Sequence, residues 1–241
     1  EWAENFGPNV KGIPLIFWLF FIGSIYLFNR LNKSFERKER IVLTCSYILF
    51  LTAVVFSRYS GSSIFNGTNF ASLAFYALGL IVFVSILGFY YYKHYKKNET
   101  EKFKEIDFGV MLLFLFFVLC IVSARGIIRL IMMLVPPAAM IVGYFVVASV
   151  SKVKDSEKEM RYVWLGIAII VVSSVVFSSY TLYNNSYSYA QSYVPSPYTQ
   201  QWQKAMAWVR ENTLEDAVFT HWWDYGYWVQ TLGERASVLD G

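Results

Sequence analysis

The sequence predicts an α-helical polytopic membrane domain of about six spans, followed by the start of a soluble α/β domain. Three observations carry this. Of the 241 residues, 56% are hydrophobic and only 16% are charged. A soluble domain is about a quarter charged, so an ordinary cytosolic enzyme and a disordered chain are both excluded. The apolar residues come in long runs, near the roughly 17–25 residues that cross a bilayer as a helix. After residue 182 the composition shifts to Tyr, Asn, Ser and Pro. The domain reading is therefore 1–182 membrane, 183–198 polar linker, and 199–241 the start of a soluble domain.

The spans read as 13–29, 41–57, 72–92, 108–123, 127–149 and 162–182. In lipid the backbone must satisfy its own hydrogen bonds, which leaves helices as the expected form. The fourth and fifth runs are divided only by Ser123-Ala124-Arg125-Gly126, but 108–149 is too long for one span. Loops 30–40, 93–107 and 151–161 hold 14 of the 21 basic residues. By the positive-inside rule these loops are cytoplasmic. The N-terminus, loop 58–71, the turn at Ser123 and everything after 182 then face outward. The basic loops are interleaved with Glu36, Glu99 and Asp155, so they read as solvated topology determinants and not as a nucleic-acid patch. Cys45 and Cys120 lie inside apolar runs and read as small buried hydrophobes. Two Asn-x-Ser/Thr triplets, at Asn66 and Asn184, fall on the expected outer face. The chain starts at Glu1 and stops at Gly241 in mid-pattern, as a piece of something longer would.

No Asp or Glu lies inside any predicted span, and the only charges near membrane depth are Arg125 and Arg129. Four residues apart, they would share one face of a helix. Arg125, nearer the boundary, reads first as a helix-end cap. Arg129 reads as functional, because a guanidinium is the preferred bidentate partner of phosphate. The pair would suit the phosphates of a lipid-linked substrate. Pro136-Pro137 should kink the following helix and free carbonyls.

Beyond the linker, Thr199 is placed to cap a helix running to about Asn212, with Trp202, Met206 and Val209 as its apolar stripe. Residues 217–220 read as a short buried strand. His221-Trp222-Trp223-Asp224-Tyr225-Gly226-Tyr227-Trp228 follows, with five aromatic residues around one carboxylate. Core packing would scatter aromatics at a strand or helix period. Buried among them, Asp224 would need a hydrogen-bond donor, and a substrate hydroxyl would serve. The indole N–H groups could donate to the same ligand. That describes a pocket for a small hydroxylated side chain such as Ser or Thr.

The stretch Trp222-Trp223-Asp224-Tyr225-Gly226 resembles the WWDYG signature of the catalytic subunit of oligosaccharyltransferase, most closely the archaeal type. Trp202 to Asn212 is similar to the family's approach helix, and Ala124 to Leu130 to its arginine-bearing helix. The resemblance covers about 108–241 and is only topological before that. It implies a GT-C-type membrane glycosyltransferase. Such an enzyme moves an oligosaccharide from a dolichol-type lipid phosphate or pyrophosphate onto the Asn of an Asn-x-Ser/Thr sequon. Trp222, Trp223 and Asp224, with Tyr225 and Gly226, would form the pocket for the sequon's Ser or Thr. Arg129 would contact the lipid-linked phosphate, with Arg125 less strongly matched. A family glutamate near the acceptor amide and a Mg²⁺ or Mn²⁺ ion falls on Glu4, with Glu1 its rival. The main metal ligands would lie outside this chain, which alone would then be inactive. The expected partners are lipid-linked oligosaccharide, an acceptor polypeptide and membrane lipids, with no nucleic acid. The expected setting is the cell membrane, with the C-terminal domain on the outer face. Another GT-C enzyme using a lipid-phosphate sugar gives no reason for Trp-Trp-Asp-Tyr-Gly. A transporter would call for polar residues inside spans and repeated halves.

Overall fold

Each predicted apolar run forms a helix. The computed structural model describes residues 7–99, 101–192 and 198–238, and the chain divides into two units, 1–185 and 186–241. The first unit contains α1 (Leu15–Leu31), α2 (Arg37–Phe56), α3 (Phe70–Lys96), the single turn α4 (Glu101–Lys104), α5 (Phe108–Gly126) and α6 (Ile131–Asp155). It also holds most of α7 (Lys158–Ser192). Among the described residues, α2, α3, α5, α6 and α7 are long and apolar enough to cross a membrane. The apolar α1, at 17 residues, is shorter.

Helix α1 packs against α2, α5 and α6, and its Phe20 and Leu27 are fully buried. Aromatic side chains fill the space between these helices. Phe28 stacks on Tyr47 with centroids 4.5 Å apart, and Phe50 stacks on Phe83 at 5.0 Å. Phe114 closes against both Phe28 and Tyr47. Such pairs add about 0.5–1.5 kcal/mol each beyond the area they bury. Leu78, Ile81, Leu115, Val147 and Ile169 stay exposed on the outside of the bundle. A helix apolar all round is what a hydrocarbon solvent demands. Cys120 is buried as expected, but Cys45 is exposed on α2. Its apolar neighbours Val42, Ile48 and Leu49 are exposed too, so this face is set toward lipid.

The α2–α3 contact is the closest in the unit. Gly79 faces Ala53, and a Cβ at position 79 would overlap that of Ala53. Small residues let helix backbones approach in this way. At the end carrying the basic loops, buried Glu39 binds Lys93 Nζ at 2.8 Å and His94 Nε2 at 2.9 Å. His94 Nδ1 reaches Glu99 at 2.7 Å. These polar groups tie the start of α2 to the end of α3.

Two elements differ from expectation. Helix α5 ends at Gly126, Ile127 is extended (φ −129°, ψ 112°), and a 3₁₀ turn, Ile128–Leu130, precedes α6. The interruption falls between Arg125 and Arg129, so the two do not share a helix face. Pro136 and Pro137 lie within α6. Neither has an N–H, so the carbonyls of Met132 and Met133 lose their helical donors. The stretch read as a linker from 183 is helical through Ser192. No Gly or Pro occurs there before Pro195, so nothing in its covalent structure stops α7.

The second unit holds α8 (Gln200–Asn212), β1 (Val218–Phe219), a 3₁₀ turn (Trp223–Tyr225), α9 (Gly226–Thr231) and β2 (Ala236–Ser237). β1 and β2 are parallel, with Val218 opposite Ala236 and Phe219 opposite Ser237. Parallel neighbours need a crossover, and α9 supplies it. Met206, Val209 and Val229 form the small buried core against which Trp202, Phe219 and Trp228 pack.

Candidate functional site

The C-terminal unit presents its aromatic motif at the carboxyl end of β1, where α/β folds place ligand sites. The motif divides into two layers. Tyr225 stacks on Trp202 at 4.7 Å, and Trp228 meets Trp202 edge-on at 4.9 Å. Tyr198 adds a second edge contact to Trp228 at 5.4 Å. Tyr198, Trp202 and Trp228 continue the Met206–Val209–Val229 core, and Gly226 is buried at the start of α9. Trp222 and Trp223, by contrast, are 67% and 54% exposed. Asp224 is exposed as well, and its carboxylate has no hydrogen-bond partner among the described residues. The expectation of a carboxylate buried among aromatics is therefore corrected. Trp228 packs on the core and Tyr225 lies against Trp202, which leaves Trp222, Trp223 and Asp224 as an outward-facing acceptor and two indole donors.

The surrounding loops are pinned by side chains that sequence reasoning missed. His221 Nδ1 lies 2.7 Å from the Trp222 carbonyl, and its Nε2 lies 2.8 Å from Ser237 Oγ. The motif's first carbonyl is thereby linked to β2. Arg235 is 7% exposed. Its Nη2 donates to the carbonyls of Arg210 and Thr213 at 2.7 and 2.8 Å. Its Nε donates to Thr213 Oγ1 at 3.0 Å. The guanidinium thus gathers the orphan carbonyls at the end of α8. The helical stripe gave no hint of this, because Arg235 lies 22 residues beyond Thr213. Replacing Arg235 with Met should destabilise this unit by about 2–4 kcal/mol, through buried carbonyls left unpaired. Local hydrogen exchange around 200–237 in the purified full-length protein would report it; unchanged protection there would refute the assignment.

At the end of the membrane unit opposite the basic loops, the two arginines play different parts. Arg125 is 6% exposed. Its Nε donates to Ser57 Oγ at 2.7 Å, and its Nη2 donates to the Gly67 carbonyl at 2.8 Å. Its guanidinium also lies 5.4 Å from the Tyr76 ring centroid. Arg58 Nη1 in turn donates to the Arg125 carbonyl at 3.3 Å. Loop 57–69 is built around this anchor. Asn66 Oδ1 accepts from the backbone N–H of Thr68 and Asn69, and Asn69 caps α3 at Ser72. Gly67 has φ +94°, and a Cβ there would crowd the Arg58 side chain. Arg129, in the 3₁₀ turn, is exposed. Among the described residues it has no hydrogen-bond or ion-pair partner, which leaves its guanidinium available to an anion. Glu4 and Glu1 lie outside the described residues. Among the described residues no three His, Cys, Asp or Glu side chains converge as a cation site.

The chain is 29% identical over 168 residues to dolichyl-phosphooligosaccharide-protein glycotransferase 1 of Pyrococcus furiosus, covering 68% of this chain and 16% of that protein. The chain is a homologue of oligosaccharyltransferase subunits. A 42-residue stretch is 48% identical to the Pyrococcus horikoshii glycotransferase 1, covering 17% of this chain and 4% of that protein. Over 192 residues the chain is 22% identical to the Dictyostelium discoideum dolichyl-diphosphooligosaccharide–protein glycosyltransferase subunit STT3. That match covers 72% of this chain and 25% of that protein. The chain thus spans about a sixth of the length of the first of these oligosaccharyltransferase relatives. No family model matches it, and no solved structure matches it. With its apolar helices, it is an integral membrane protein.

Proposed function

We propose that this chain belongs to an enzyme that transfers an oligosaccharide from a dolichol-type lipid phosphate or pyrophosphate to the Asn of an Asn-x-Ser/Thr sequon. The observation that carries the proposal is the outward-facing trio Trp222, Trp223 and Asp224, set on a rigid aromatic base in a homologue of oligosaccharyltransferase subunits. Trp222, Trp223 and Asp224 bind the sequon's Ser or Thr hydroxyl, and Tyr225 and Gly226 hold them in place. Arg129 binds the lipid-linked phosphate. The basic loops are cytoplasmic, so Arg129 and the C-terminal unit lie on the outer side.

In this reaction the acceptor amide nitrogen attacks the anomeric carbon, the bond to the phosphate oxygen breaks, and an outer-face carboxylate takes the amide proton. Negative charge grows on the leaving phosphate, and a fixed guanidinium stabilises it without reorganisation. The described residues do not by themselves form a metal site. The Mg²⁺ or Mn²⁺ is assigned to carboxylates elsewhere in the whole protein, with Glu4 the candidate ligand here. The test is to incubate the full-length protein with divalent metal, lipid-linked oligosaccharide and an Asn-x-Thr peptide. Glycopeptide should form, and Arg129→Gln should slow it by roughly 100-fold or more. Absence of glycopeptide beside a competent control enzyme would refute the proposal.

A further inference from the structure

At the opposite end of the bundle from Arg129 lies a polar cavity of about 240 Å³ that the transfer reaction does not use. Arg30, Lys33, Glu105, Asp107 and Tyr144 line it, together with the apolar Leu31 and Ile106. Each group is placed by its element. Arg30 ends α1, Asp107 caps α5 by accepting from Val110 N–H at 2.9 Å, and Tyr144 projects from α6. Arg30 lies over the Tyr144 ring, 6.0 Å from its centroid. Glu105 is held by Ser34 Oγ at 2.8 Å.

Three features of this cavity are unsatisfied. Among the described residues, neither Arg30 nor Lys33 has an ion-pair partner, although two carboxylates line the same space. The Tyr144 hydroxyl is buried and, among the described residues, has no hydrogen-bond partner. A buried hydroxyl left this way is destabilising, and a ligand acceptor would satisfy it. The cavity also adjoins an apolar cleft of about 390 Å³, whose walls include Val84, Leu87, Phe114 and Leu115. Leu31 and Ile106 line both spaces.

A polar cup with two cations, two carboxylates and an unpartnered hydroxyl, beside an apolar cleft, matches an amphiphile whose headgroup carries both charges. We propose that this is a binding site for a phospholipid with a phosphate–ammonium headgroup, of the phosphoethanolamine type. Arg30, Lys33 and the Tyr144 hydroxyl donate to the phosphate. Glu105 and Asp107 accept from the ammonium, and an acyl chain lies in the cleft. The site is separate from any donor-lipid contact at Arg129, since the 19-residue α5 separates the two ends by about 28 Å at 1.5 Å per residue.

The full-length protein in nanodiscs of mixed phosphatidylethanolamine and phosphatidylglycerol would be analysed by native mass spectrometry for retained lipid. Wild type should retain phosphatidylethanolamine about tenfold over phosphatidylglycerol, a ratio two charge-assisted hydrogen bonds readily supply. R30Q/K33Q should lose the retained lipid. E105Q/D107N, which keeps an acceptor to cap α5, should retain both lipids about equally. Tyr144→Phe, a single-atom change, should lower retention even if the double variants fold poorly. Equal retention of the two lipids by wild type would overturn the proposal, as would unchanged retention in both R30Q/K33Q and Tyr144→Phe. Soluble phosphoethanolamine binding as tightly as the lipid would also overturn it. None of these readouts depends on glycosyl transfer.

Discussion

Asp224→Ala in the full-length protein should weaken binding of an Asn-x-Thr peptide by roughly 10- to 150-fold. A hydrogen bond to a charged group contributes about 1.5–3 kcal/mol, and each 1.4 kcal/mol is tenfold in affinity. Asp224 is exposed and makes no contact that holds the fold, so the variant should unfold at the same temperature as wild type. A site built to bond a hydroxyl also rejects a substrate lacking it. Wild type should therefore prefer Asn-x-Thr to Asn-x-Ala strongly, and Asp224→Ala should erase much of that preference. Equal peptide affinity in the two proteins, measured by calorimetry or fluorescence anisotropy, would remove Asp224 from the acceptor site. Tyr225→Ala is the matching control. Its ring stacks on Trp202, so losing it should lower stability as well as binding.

The same motif shows where sequence reading succeeds and stops. Five aromatics around one Asp mark a site because no strand or helix period explains them. Which of them face inward depends on Trp202 and Tyr198, some twenty residues upstream, whose rings pair with Tyr225 and Trp228. Spacing within the motif carries no trace of that pairing, and so Asp224 was expected to be buried. The membrane helices were legible for the opposite reason. Each must satisfy its own backbone and present apolar side chains on every side, which writes a signal about 20 residues long into the chain. Their ends were less legible. Helix α7 continues through Ser192 because polar Tyr, Asn and Ser residues neither extend an apolar run nor break a helix. The boundary was read at Ser123–Gly126, but the extended Ile127 and its effect on the neighbouring arginines were not. Sequence separation of four implied one shared face, and an extended residue between them removed it. Arg235 was invisible altogether, since a buried guanidinium on a loop has no periodicity and its partners are backbone carbonyls and one threonine hydroxyl.

Arg125→Met should lower the stability of the membrane unit by about 2–4 kcal/mol and loosen loop 57–69. The substitution leaves the Gly67 carbonyl and Ser57 hydroxyl buried without their donor, at about 1–3 kcal/mol for each group. Part of that loss is offset, because the guanidinium no longer has to be desolvated. Ser57→Ala should cost less, about 1 kcal/mol, since it removes one partner and leaves the Gly67 bond intact. A double-mutant cycle between the two should show coupling, as neighbours sharing a hydrogen bond do. Thermal unfolding in detergent measures the stability change, and cleavage within loop 57–69 by added protease measures the loosening. The resemblance to a phosphate-binding helix makes a rival claim on this residue. If Arg125 contacted the donor phosphate, Arg125→Met would weaken lipid-linked oligosaccharide binding while leaving the unfolding temperature and the loop unchanged. The burial of Arg125 favours the structural role. The Arg125 guanidinium spends two of its five N–H donors on a hydroxyl and a carbonyl, faces the Tyr76 ring, and is only 6% exposed. Arg129, without a partner among the described residues, keeps all of its own.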